Sequence, residues 1–521
     1  MAGTISVGRT NNQDTDGLLV GGRWDTTNLT YSFTTSSAFY GTGYGFGEPY
    51  TGFETLNATQ QSAVNTILTM CASVINLAFT QTTESATDHA VLRLAMTDDP
   101  NVGTAVGYYP NAAETGGDSW YRNAGGIYHN PVRGNYAYHT FMHELGHNLG
   151  LKHGQDTSAY GAMTAPHDSM EYSVMTYRSY VGAPLVGGYG NETWGYAQTL
   201  MMHDIAALQH MYGADFTTNS GNSTYSWDAN TGQTFINGVG QGAPGGNRIF
   251  MTIWDGGGSD TYDLSNYETD VTVDLRPGEW TTTSAVQRAN LGDGNFARGN
   301  VANALLYNGD TQSLIENAIG GSADDFLYGN TASNFLDGRG GSDTIVLAGV
   351  QSDYTFSGAA TNFTATGFAA TDTILNVEFV RFLGSTMTVA VASLLTTVPD
   401  DYRDSTTDTT APLCLVSVGK PARSGRIEAL GDADIFRVTL EAGEIYRFDL
   451  RGTDSAGGTL ADPYLFLRNN AGAVVAQDDD AGTGFDSQIT FTATTSATYY
   501  ADAQSFDNNA TGTYTLSNVL I

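Results

Sequence analysis

The chain has 521 residues, enough for two to four separately cored domains, because a single hydrophobic core stops growing well short of this length. Its 54 acidic residues against 21 basic ones leave a formal net charge of -33, which repels phosphate backbones and weighs against nucleic acid as a partner. Solubility is one reading of this acidity, and a large set of carboxylates that hold calcium is the other; Cys71 and Cys414 are too few and too far apart for a disulfide framework.

The N-terminus, MAGTISVGRTNNQDTDG, has neither a basic n-region nor an apolar h-region, and no apolar run approaches the roughly 20 residues of a membrane span. Residues 1–15 are read as an N-terminal extension. From 16 to 215 helical and strand-like patterns mix, as in an α+β enzyme domain. Asn57 is placed to cap a helix whose Val64, Ile67, Leu68, Cys71, Val74 and Ile75 recur at helical spacing, with Cys71 a buried small hydrophobe. Ala90–Met96 reads as a strand. Helices follow over about Tyr136–Leu149 and Thr193–Met211, and Gly125–Asn130 reads as a strand, either an edge on which an extended peptide can pair or an ordinary interior one.

From 216 to 395 the composition shifts to Gly, Asp, Asn, Ser and Thr with short β-prone pieces, the texture of an all-β region. Residues 396–410, which include the polar stretch VPDDYRDSTTDTT, read as a linker. Residues 411–521 alternate apolar and polar positions in FRVTL, YRFDL, YLFL and SQITFTA, the pattern of a β-sandwich. The expected fold is therefore multidomain: an α+β catalytic domain, an all-β middle region and a C-terminal β-sandwich.

The segment His143-Glu-Leu-Gly-His147-Asn-Leu-Gly150-Leu-Lys-His153 spells HExxHxxGxxH. Residues four apart on a helix share one face, so the imidazoles of His143 and His147 can grip one ion. Gly150 sits where the helix must end for His153 to swing back as third ligand, and a residue without Cβ accepts the left-handed conformation of such a turn. Three neutral imidazoles leave one position open, the arrangement of a catalytic zinc. Glu144 can face the fourth position as general base. Five fixed positions in a chain of this length arise by chance on the order of once in ten thousand sequences. His89, His129, His139, His167, His203 and His210 are read as ordinary core or surface histidines in preference to a second metal site.

These residues resemble the metzincins, and more narrowly the serralysin group of secreted bacterial proteases. Tyr172-Ser-Val-Met175-Thr-Tyr177 resembles that group's Met-turn. The resemblance implies that Met175 is the floor beneath the metal and that Tyr177 is a displaceable fifth ligand or an oxyanion stabiliser. Gly17-Leu-Leu, Arg23-Trp24-Asp25 and Thr199–Gln209 resemble the start and last helix of the group's enzyme domain, and Gly154 departs from the proline often found there.

Gly320-Gly-Ser-Ala-Asp-Asp325-Phe-Leu-Tyr, Gly329-Asn-Thr-Ala-Ser-Asn334-Phe-Leu-Asp and Gly338-Arg-Gly-Gly-Ser-Asp343-Thr-Ile-Val align with period nine. They approximate the GGxGxDxUx (RTX) repeat of a calcium-binding parallel β-roll. Glycines supply tight turns, the sixth position supplies ligands in Asp325, Asn334 and Asp343, and the apolar eighth position fills the core. Asp255-Gly-Gly257-Gly-Ser-Asp260 fits the same template. The resemblance implies that Glu316 shares an ion with Asp260, and that carbonyls of Asn219, Gly221 and Ser223 complete a site with Asp255 and Asp260. Without calcium the clustered carboxylates repel, so folding and metal binding are coupled.

Gly431-Asp-Ala-Asp434-Ile-Phe436, Leu460-Ala-Asp462-Pro-Tyr464 and Asp478-Asp-Asp480 resemble the bacterial pre-peptidase C-terminal domain, with Asp462, Asp478, Asp480 and Asp486 read either as ligands of a further calcium or as an acidic solvated loop. Together these readings predict a secreted, extracellular bacterial endopeptidase. It carries one catalytic zinc and several structural calcium ions, and acts on proteins or peptides as a monomer. A proteinaceous inhibitor and the type I secretion machinery are further partners that the resemblance implies. The competing readings are a calcium-dependent adhesin or surface-layer protein with an inactive protease domain, and a gluzincin-like site with glutamate as third ligand.

Overall fold

In the computed structural model, residues 2–368, 370–395, 401–405, 414–429, 431–508 and 510–521 are described. The chain divides into two units, residues 1–395 and 396–521.

The first unit begins with β1 (Thr4–Ser6), α1 (Gln13–Asp16) and β2 (Gly22–Trp24), where β1 and β2 pair antiparallel. The N-terminal residues are thus part of this unit's architecture. Then come β3 (Asn28–Phe33), α2 (Ala58–Val74), β4 (Ala78–Gln81), β5 (Leu92–Thr97), β6 (Ala105–Gly107) and β7 (Ser119–Arg122). The five later strands form one sheet in the order β4-β3-β5-β7-β6, parallel except for β6, which runs antiparallel at one edge. β5 has partners on both sides and is buried along its whole length, as strands of a covered parallel sheet are. Its one charged side chain, Arg93, is neutralised by Asp118 at 2.8 Å.

α2 starts where expected: the Asn57 side chain accepts the Gln60 amide, and Gln60 reaches back to the Asn57 amide. Val64, Ile67, Leu68, Cys71 and Val74 are buried on its inner face. α3 (Tyr136–Leu149) is buried from its second residue to its last. α4 (Met202–Tyr212) begins nine residues later than Thr193. Residues 193–200 are held instead by other parts of the chain, with the Tyr196 amide donating to Gly134 O at 3.1 Å and the Gln198 amide to Phe250 O at 2.9 Å, so these backbone groups are not free for a helix. Gly125–Asn130 forms turns and not a strand, because Gly125 and Gly126 adopt φ of 83° and 67° and fold the chain back on itself.

Beyond residue 215 short strands alternate between two parallel sheets. Thr224–Trp227, Thr261–Asp263, Asn317–Ile319, Phe335–Asp337 and Ala370–Leu375 pair parallel in one. Thr272–Asp274, Phe326–Tyr328, Thr344–Leu347 and Phe379–Phe382 pair parallel in the other. Each nine-residue repeat therefore supplies one strand, and the eighth-position side chains Leu327, Leu336 and Ile345 are fully buried between the sheets. The core around α3 and α4 also takes in Phe250, Trp254, Trp280 and Leu291, so the enzyme-like half and the repeat half share packing.

In the second unit, one sheet holds Ala433–Leu440, Ala497–Ser505, Pro463–Arg468 and Val474–Asp478 with a short strand at Cys414–Leu415. A four-stranded sheet holds Arg423–Ile427, Gly512–Leu520, Ile445–Arg451 and Ser487–Thr492. One core joins Phe436, Val438 and Leu465 from the first to Phe448, Tyr514 and Leu516 from the second. The expected linker 396–410 lies outside the described residues except for 401–405, where Tyr402 packs on Phe436 with ring centroids 4.6 Å apart. Among the described residues, no helix is long and apolar enough to cross a membrane.

Candidate metal centre and active site

α3 is capped by Asn135, whose side chain accepts the Tyr138 amide at 2.9 Å. It ends at Gly150 with φ 106°. A Cβ at Gly150 would lie 2.7 Å from Gly22 O, so both the left-handed turn and the close approach require glycine. That turn returns His153 to the helix face carrying His143 and His147.

The three rings converge through their Nε2 atoms, with His147 to His153 at 3.0 Å and His153 to His143 at 3.2 Å. His143 Nδ1 faces Val174 O at 2.8 Å and His147 Nδ1 faces Leu151 O at 2.7 Å. A carbonyl only accepts, so both Nδ1 atoms carry protons and both Nε2 atoms present lone pairs to the shared centre. Burial, reinforced by the neighbouring imidazoles, holds His143 well below the usual histidine range, and burial pushes His147 down to about 3 and His153 to about 4. Three neutral rings with converging lone pairs fit a cation: tetrahedral zinc with bonds of about 2.0–2.1 Å separates its nitrogen ligands by about 3.3 Å.

Glu144 is buried beside the triad, and burial lifts its carboxyl to about 8, while the Gly107 amide of β6 favours the charged form. Met175 is fully buried. Its sulfur lies beneath α3, where a Cβ at Gly146 would approach it to 2.6 Å. Tyr177 is 41% exposed, its ring centroid 4.4 Å from that of His153 and 6.0 Å from that of His143. Burial and the nearby Glu144 raise its phenol to about 12, so it is protonated at neutral pH. A cleft of about 500 Å³ opens over these residues, with Thr104 and Ala105 on one wall and Tyr136, Tyr189 and Tyr196 on another. Sequence reading missed this aromatic wall, because isolated tyrosines carry no periodic signal.

Among the repeats, the Asp260 amide donates to Glu316 Oε2 at 2.8 Å and the Ser223 amide to Asp260 Oδ1 at 2.7 Å. Ser223 Oγ donates to the carbonyls of Gly221 at 3.1 Å and Asn219 at 3.3 Å. Asp255 accepts from Tyr225 OH at 2.6 Å and the Gly257 amide at 2.8 Å. Asp325 accepts from the Val271 and Gly321 amides, and the Asp325 amide donates to Asp343 Oδ1 at 2.8 Å. Asn334 Oδ1 accepts the Asn330 amide.

The second oxygens of Asp260 and Asp343 are buried without a hydrogen-bond partner. Burial, with added repulsion from nearby carboxylates, lifts Asp325 to about 6, Asp343 to about 7 and Asp260 to about 8. Buried, unpartnered carboxylate oxygens fit cation ligation. Glu378 escaped the sequence reading, yet it accepts the Asp343 amide at 2.8 Å as Glu316 accepts that of Asp260.

Among the described residues of the second unit two groups of carboxylates gather, Asp462 with Asp479 and Asp480, and Asp401 with Glu428 and Asp434. Asp478 is engaged by the Ala481 and Gln488 amides, and Asp486 by the Gly452 amide and Ser455.

Residues 29–185 match the family model described as Metallo-peptidase family M12, and residues 214–365 match Peptidase M10 serralysin C terminal. The chain is similar to metallopeptidases over the first stretch and to the serralysin C-terminal region over the second. Serralysin C of Dickeya chrysanthemi is 32% identical over 314 residues, 58% of each chain. The metalloprotease AprA of Pseudomonas entomophila (strain L48) is 30% identical over 318 residues, 58% of this chain and 59% of its own. Serralysin of Proteus mirabilis is 29% identical over 324 residues, 58% of this chain and 59% of its own. The chain thus spans under two thirds of the length of these serralysins. The crystal structure of the pre-peptidase C-terminal domain of collagenase from Bacillus anthracis aligns with 22% of the chain and 99% of its own length, at 16% identity and a TM-score of 0.17.

Proposed function

We propose that this chain is a secreted, extracellular zinc endopeptidase whose metzincin-type catalytic domain spans residues 16–215. A calcium-stabilised parallel β-roll follows over 216–395, and a pre-peptidase C-terminal-like β-sandwich over 411–521. The observation that carries this reading is the convergence of three imidazole Nε2 atoms at 3.0 and 3.2 Å, with the Nδ1 protons of two committed to carbonyls.

His143, His147 and His153 would hold the zinc, which when bound supplies Lewis acidity toward a peptide carbonyl and acidifies water. Glu144 takes the proton of the attacking water and returns it to the leaving amine nitrogen. Tyr177 keeps its proton and donates it as a hydrogen bond to the carbonyl oxygen as negative charge develops there. β6 is the sheet edge on the cleft side, and an extended substrate pairs along it. Tyr136, Tyr189 and Tyr196 give the cleft an apolar wall for a substrate side chain.

Asp255, Asp260, Glu316, Asp325 and Asp343, with Asn334 and the carbonyls of Asn219, Gly221 and Ser223, are the proposed calcium ligands, and Glu378 joins them. The unpartnered oxygens of Asp260 and Asp343 support this assignment. Removing zinc with a chelator in excess calcium tests the function: hydrolysis of denatured casein stops and returns on adding zinc. Hydrolysis that persists in the zinc-free protein contradicts it.

A further inference from the structure

Away from the catalytic triad, Asp14, His167 and His203 come together from three remote parts of the chain, each offering one ligand atom within 4.8 Å of the other two. Asp14 lies on α1, where its Oδ1 accepts the Thr164 amide at 2.8 Å. Its Oδ2 faces His167 Nδ1 at 2.7 Å. His203 lies on α4 with its ring centroid 5.4 Å from that of His167. A simple Asp–His pair accounts for Asp14 and His167 and leaves His203 unexplained. That side chain is 4% exposed, and its buried Nδ1 has no hydrogen-bond partner, a state a native fold avoids unless another group completes it.

We propose that Asp14, His167 and His203 form a second zinc site that ties the N-terminal segment to the loop ahead of Met175 and to α4. Two imidazoles and one carboxylate are a donor set for zinc and its transition-metal neighbours, whereas calcium prefers an all-oxygen shell. His167 is 38% exposed at its side chain and Asp14 12%, so the ion has a route in and water has access to a remaining position. Burial holds His203 down at about 4, so its ring is neutral and ready to ligate. The neighbouring residue on α4, Asp204, supports Val174 and through it His143. Zinc here therefore steadies the same helix that braces the catalytic triad.

The inference does not depend on the catalytic reading, and the test keeps the two apart. Zinc per chain is measured by elemental mass spectrometry at saturating free zinc and excess calcium. The proteins compared are the parent, His147→Ala, His167→Ala and the His147→Ala/His167→Ala double variant. Removing His167 is expected to lose about one equivalent of zinc in both backgrounds, and zinc is expected to raise the melting temperature of His147→Ala but not of the double variant. Equal zinc content with and without His167, in proteins of matching circular dichroism, overturns the proposal. If His167→Ala does not fold, Asp14→Asn, which keeps the shape and removes the charge, gives the same comparison with the same two outcomes.

Discussion

The carboxylate of Asp204 accepts the Val174 amide at 2.8 Å, and the Val174 carbonyl accepts the Nδ1 proton of His143 at 2.8 Å. Asp204 also accepts Ser173 Oγ at 2.6 Å and the Met201 amide at 2.9 Å. One buried carboxylate thus fixes the start of α4, the backbone ahead of Met175 and the tautomer of a proposed zinc ligand. Asp204→Ala leaves two buried amides and a hydroxyl unsatisfied, at a cost of about 2–4 kcal/mol. Zinc affinity is expected to fall about 10–100-fold, as when other outer partners of ligating histidines are removed. Thermal unfolding and zinc titration check both, and a variant with unchanged zinc affinity contradicts the relay.

Gly150→Ala places a Cβ 2.7 Å from Gly22 O at a φ of 106°. Alanine strains this conformation and pushes against β2, so a loss of about 1–3 kcal/mol is expected. His153 lies three residues on, and zinc release by a competing chelator should accelerate. Parent-like stability and parent-like zinc retention would show that the turn does not position the third histidine.

Tyr177→Phe removes a hydroxyl over the triad and leaves the ring in place. A donor used only as charge develops on the carbonyl oxygen predicts a fall in kcat on the order of a hundredfold with KM little changed. Steady-state kinetics on a peptide substrate read this directly, and a rise in KM alone would make Tyr177 a substrate-binding group instead.

The repeat region should respond to pH in opposite senses with and without calcium. Asp325, Asp343 and Asp260 are lifted by burial to about 6, 7 and 8, whereas an unfolded aspartate titrates near about 3.9. The calcium-free fold therefore holds more protons than the unfolded chain between these values. Its stability is fully present at low pH and is lost as pH rises through about 6–8. Calcium binds the deprotonated form and reverses the trend. Melting temperatures of calcium-free and calcium-loaded protein between about pH 5.5 and about pH 8.5 test this, and a flat calcium-free profile counts against it.

How much of this was legible beforehand depended on how far apart the cooperating residues lie in the chain. His143, His147 and His153 fall within one helix and its terminating turn, so local geometry alone brings them together. Leu327, Leu336 and Ile345 repeat every nine residues, and their burial between two sheets follows from that period. The edge of the first sheet is less legible. β6 is only three residues long and sends no alternation signal, while Gly125–Asn130 looked extended until its glycines proved to turn. The start of α4 was set too early because contacts with residues near 250 compete for residues 193–200. Glu378 and the Asp14, His167 and His203 group were invisible for the same reason: only the tertiary fold joins them.

The proposed chemistry sets a general base, Glu144, beside three imidazoles that would hold zinc. It is tested most directly by cleavage of denatured casein by the parent and by Glu144→Ala at matched zinc content. The account predicts that the variant keeps its zinc and loses activity by on the order of a thousandfold. Cleavage by zinc-loaded Glu144→Ala at the parent rate would contradict it.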